Sequence, residues 1–112
     1  MAEPATGEDR LAELRRTYRL AFEAYDDVMT DGTPEERKEY FMQYNHLTAI
    51  ITGLIADGLA SNNPTVMQAH KDLVDTNKKI ETMVADLKSI SAFLKLLSQA
   101  VDLAKTVVAL GA

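Results

Sequence analysis

An all-α fold follows from three observations on this 112-residue chain. Pro64 to Leu110 runs for 47 residues with no glycine and, after Pro64, no proline, its apolar residues recurring at helical spacing. Two helix starts are written in local chemistry, Thr33-Pro34-Glu35-Glu36 and Asn63-Pro64. Upstream, Leu11, Leu14, Tyr18, Phe22, Tyr25 and Met29 recur at gaps of three and four. The architecture these predict is an antiparallel helical hairpin followed by a long C-terminal helix, as a three-helix or four-helix bundle with coiled-coil-like seams.

Met1 to Gly7 lacks an apolar anchor and reads as a flexible tail, leaving residues 8–112 as one helical domain. The first helix spans about residues 8–30 and stops at Asp31-Gly32, where the glycine can take positive φ. Threonine as cap, proline at the first helical position and Glu36 closing a capping box start the second helix at residue 34. Its apolar face reads Tyr40, Phe41, Tyr44, Leu47, Ile51, Leu54 and Ile55, and it runs to about Leu59. A link as short as Asp31-Gly32 makes these two helices antiparallel neighbours.

The third segment, residues 64–110, changes character along its length. A narrow seam of Val66, His70, Leu73, Asn77, Ile80, Val84 and Leu87 alternates gaps of four and three, as in a two-helix contact. His70 and Asn77 interrupt it with polar groups of the kind that fix register and partner number. From Ile90 onward two adjacent apolar seams leave only a thin polar strip, so this part must be buried on more than one side. The phase shifts at Ser89-Ile90-Ser91. Because Ser-Ile-Ser lacks the glycine, proline or asparagine of a tight reversal, the favoured reading is one continuous helix. It would be roughly 70 Å long, against a compact domain only about 35 Å across. Such a helix needs a partner, and Ile90, Phe93, Leu94, Leu97, Val101 and Val108 are the residues expected to meet it. A break at residues 89–91 is the alternative, and gives a four-helix bundle.

The composition narrows function by exclusion. With no cysteine there are no disulfides, thiolate metal sites or thiol nucleophiles. A net charge of −5 lacks the clustered Lys and Arg of a nucleic-acid surface. Charge is also uneven: residues 1–63 hold six basic residues against twelve acids, and residues 64–112 hold six lysines against five acids. Arg10, Arg15, Arg16 and Arg19 are interleaved with acids and read as ordinary helix-surface pairs. Tyr18, Tyr25, Tyr40 and Tyr44 read as core and rim rather than a ligand cage.

No nucleophile, base and oxyanion partner assemble, so no enzyme and no cofactor are expected. Glu39 and His46, seven residues apart, lack the spacing of a carboxylate metal site, and no metal is expected. Ile90–Leu110 is long enough to span a bilayer, but Lys95, Asp102 and Lys105 would each cost about 2.5 to 3.5 kcal/mol at its centre. Ala2–Arg10 is polar and acidic, unlike a secretory leader, which predicts a cytoplasmic protein with leaderless secretion left open.

The functional expectation is a non-enzymatic interaction or assembly protein that self-associates, as a dimer or larger, through its C-terminal helix, or pairs with another helical protein. The alternative is a membrane-active or secreted effector-like protein, or its helical chaperone or adaptor, that exposes the same helix.

Overall fold

The computed structural model describes residues 6–52, 54, 56–59 and 61–110. Met1–Ala5 of the expected tail, and Ile55 of the expected second-helix face, lie outside them. The described chain forms α1 (Gly7–Glu23), α2 (Tyr25–Asp31), α3 (Pro34–Ile51), α4 (Pro64–Ala85) and α5 (Ile90–Leu110), with a 3-10 turn at Ala56–Leu59. It is an all-α bundle, 42 × 29 × 18 Å overall.

Local chemistry sets each boundary. Thr6 and Gly7, read above as tail, open α1: the Thr6 hydroxyl accepts from the Asp9 amide and the Asp9 carboxylate accepts from the Thr6 amide. Hydrogen bonding from Thr6, first from its backbone amide, holds the Asp9 carboxyl below its ordinary range. At Ala24 the helix tightens, its amide donating to Ala21, so α1 and α2 form one bent rod. Gly32 closes the rod with φ −76°, not the positive φ expected. Glycine is needed there because a Cβ would collide with the Val28 carbonyl oxygen. Thr33 and Glu36 make the expected capping box on α3, and Asn63 caps α4 through the Thr65 amide at 2.8 Å.

Two expectations fail. The second helix ends at Ile51, not Leu59. Its last turns carry the β-branched run Ile50-Ile51-Thr52, and the Thr48 and Thr52 hydroxyls bond back to carbonyls four residues earlier. Both features weaken helix continuation. More consequentially, the C-terminal segment breaks. Asp86 leaves helical geometry at φ −149°, ψ 76°, and the Ser89 hydroxyl caps α5 by accepting from the Ala92 amide at 3.2 Å. The reversal needs no glycine because Asp86 takes up the bend with negative φ. Replacing Ser89 by Ala is expected to cost about 1 kcal/mol, seen as a lower thermal midpoint with the helical circular dichroism retained below it.

The bent rod α1–α2 and α3 form one antiparallel hairpin, and α4 and α5 form the second, the most extensive pairing in the molecule. The hairpins lie side by side, α1 against α4 and α3 against α5. Both pairs run parallel: residues 13, 17 and 16 of α1 meet 77, 77 and 81 of α4. Helices α3 and α4 sit at diagonally opposite corners, and the 3-10 turn Ala56–Leu59 on the connection between them packs against α1 and α5. The core gathers Leu14, Ala21, Val28, Tyr40, Leu73 and Leu97 with their buried neighbours from every helix.

Candidate functional site: a buried polar seam and an exposed aromatic face

The residues expected at an intermolecular contact are divided by this fold. Phe93, Leu94, Leu97 and Val101 are buried inside the bundle, and Ile90 and Val108 pack against the same core from its edge. Doubling back at Asp86–Ser89 lets α3, α4 and α1 cover most of the two seams of α5, leaving Leu96 and Leu103 partly buried and Leu110 exposed.

His70 and Asn77 do occupy a helix seam, but between α1 and α4 of the same chain. Asn77 is fully buried. Its Nδ2 donates to the Glu13 carboxylate at 2.9 Å and to the Glu13 carbonyl at 3.1 Å, while its Oδ1 accepts from the Thr17 hydroxyl at 2.8 Å. Glu13 is held in turn by Arg16 at 3.3 Å, and Arg16 also pairs with Glu81 on α4, which lowers the Glu81 carboxyl from its ordinary range.

Two turns toward the bundle's lower end lies a residue that sequence reading assigned to the surface. Arg10 is fully buried. Its Nη1 donates to the Leu59 carbonyl at 2.6 Å and to the Ser61 carbonyl, whereas Nε and Nη2 have no partner. The available signal was phase: Arg10, Leu14, Thr17, Ala21, Ala24 and Val28 form one helical stripe, and all six are buried. His70 stands across the seam with Nδ1 buried and unpartnered. Burial and then the Arg10 charge lower its pKa, against the opposing pull of Glu13 and Asp9.

The shift of phase that buries Arg10 turns the expected aromatic stripe outward. Phe22 is 60% exposed, Tyr25 41% and Phe41 43%. Tyr25 and Phe41 meet across the α2–α3 contact edge to face, ring centroids 6.3 Å apart, and Phe22 lies on the turn preceding Tyr25. Beneath them Tyr40 is fully buried, its hydroxyl donating to the Ala21 carbonyl at 2.6 Å. Beside them the Tyr44 hydroxyl donates to that of Tyr18 at 2.7 Å. This bond, with burial, pushes Tyr44 up to about 12, and burial raises Tyr40 as well. Both phenols stay protonated and neutral at neutral pH. Arg19 and Glu23 pair at 4.0 Å on the same helix.

Among the described residues no three potential ligands converge as a metal site, and no helix is long and apolar enough to cross a membrane. His46 is exposed on α3. Two open grooves, about 470 Å³ between α3 and α5 beside Glu39 and Lys95, and about 520 Å³ over Met83 and Leu96, include neither histidine in their walls. The chain is thus of the four-helix-bundle class, with a polar seam joining its hairpins and an aromatic face on the first of them. No family model, curated protein or solved structure matches it.

Proposed function

We propose that this protein is a non-enzymatic helical interaction module, docking a second copy of itself or another helical protein on the aromatic face of its first hairpin. The observation that supports this reading is that Phe22, Tyr25 and Phe41 are exposed together on one hairpin, the exposed aromatics among large apolar side chains that also include Met42, Met67 and Leu110. Single exposed apolar residues are ordinary, whereas adjacent aromatics at the surface mark interaction sites. Aromatic anchors also carry a disproportionate share of binding energy. The contact moves accordingly from α5, most of whose seams the bundle covers, to the α1–α3 hairpin.

The double variant Phe22→Asp, Phe41→Asp tests it. Both positions are exposed, so folding should be retained. Self-association measured by light scattering over a concentration series, or the set of proteins retained by the immobilised chain, should be lost in the variant, with affinity down about tenfold or more. Equal association and equal retention by wild type and variant would remove the aromatic face from the function.

A further inference from the structure

We propose that Arg10 and His70 form an acid-sensitive clasp on the diagonal connection between the two hairpins, closed when His70 is neutral and loosened when it is protonated. The clasp has one hook. Arg10 reaches from the first turn of α1 to the carbonyls of Leu59 and Ser61, tying the 3-10 turn and the approach to α4 onto the first hairpin. Among the described residues the hook is a buried charge with no carboxylate bonded to it: its hydrogen bonds are to backbone carbonyls, and its other two nitrogens have no partner. A cation in that state is held at a desolvation cost and tolerates little further positive potential.

His70 supplies that potential on demand. Among the described residues the charged groups that act on it are Arg10, Glu13 and Asp9, all from α1. The two acids offer limited compensation, because Asp9 is engaged in the α1 capping box and Glu13 is bonded to Asn77 and Arg16. Protonation therefore places a second cation near Arg10 in a partly buried seam whose carboxylates are already occupied. The direction of the linkage follows. The closed form holds the histidine pKa below its ordinary value of about 6.5, so an opened form takes up the proton first as pH falls. Closure is favoured above about pH 6.5 and weakens as pH drops through that value toward the lowered one. Opening here leaves the α4–α5 and α3–α5 contacts in place, and it bares Leu59, which is fully buried when the clasp is shut.

Hydrogen exchange on the full chain, corrected for intrinsic rates, reads this at about pH 7.5 and about pH 5.5. A several-fold acid loss of protection confined to residues 56–63 and the first turns of α1, absent from α5, is the expected result for wild type. His70→Gln, which keeps a polar side chain but never charges in this range, should hold its protection at both pH values. Arg10→Gln should lose it at both. The proposal is overturned if wild-type protection is the same at both pH values, if the acid loss spreads evenly over α5, or if His70→Gln shows the wild-type acid loss. The wild-type comparison of residues 56–63 with α5 decides the matter even if a variant does not fold.

Discussion

Leu97→Asp yields an unfolded or aggregated chain, not a soluble monomer released from an assembly. Leu97 is fully buried where α5 meets the other helices, among Tyr40, Leu73 and Phe93 of the shared core. A carboxylate there loses its hydration with no cation or donor placed to replace it, a penalty on the order of 5 kcal/mol or more. The whole stability of a domain this size is only about 5–15 kcal/mol, so one substitution removes most of it. Circular dichroism with sedimentation checks the outcome. A helical, monomeric variant would mean that Leu97 faces another chain, and that the intramolecular core does not hold as described.

Asn77→Asp has the second largest expected effect, although it changes almost no volume. The amide nitrogen that donates to the Glu13 carboxylate at 2.9 Å becomes an oxygen facing it, and the carbonyl of Glu13 loses one of its donors, keeping the Thr17 hydroxyl. Two carboxylates at that separation cannot both ionise without large cost, and an uncompensated buried charge is worth about 3–5 kcal/mol of destabilisation. The penalty depends on pH in a definite sense. The introduced carboxyl has an ordinary unfolded pKa near 3.9 and a raised folded one. The folded state therefore binds its proton more tightly, and the lost stability returns as pH falls through the raised value. Urea denaturation of the variant at neutral and acid pH should show this recovery. Adding Glu13→Gln should restore much of the loss at neutral pH. A pH-independent deficit, unrelieved by Glu13→Gln, would show that shape and not charge governs the seam.

These two positions also show how much of the molecule could be read in the chain. Caps were legible because their chemistry is local: Thr33 with Glu36, and Asn63 with Pro64, act within a single turn. The all-α fold and the breadth of apolar surface on α5 followed from periodicity in the same way. The cover for that surface did not, because the reversal at Asp86–Ser89 uses neither glycine nor proline and its one signal is a serine cap. Burial in α1 departs from the aromatic periodicity for a different reason. Large aromatics suggested a core stripe through Tyr18, Phe22 and Tyr25, yet close helix packing selected the smaller residues Thr17, Ala21 and Ala24 one step around the wheel. Arg10 came inward with them. His70 and Asn77 were recognisable as polar interruptions of a seam, but nothing local says whether a seam joins two chains or two parts of one.

The diagonal connection has a consequence for how the molecule is assembled in time. Each hairpin is closed by neighbours in sequence, whereas the seam bonds Thr17–Asn77 and Arg16–Glu81 join residues 60 and 65 apart. Local contacts form early and distant ones wait for loop closure. The hairpins can therefore collapse as separate units, with the parallel α1–α4 pairing among the last events. Its polar groups then act as a final check on alignment, because an out-of-register docking would bury Asn77 and Arg10 with their hydrogen bonds unmade.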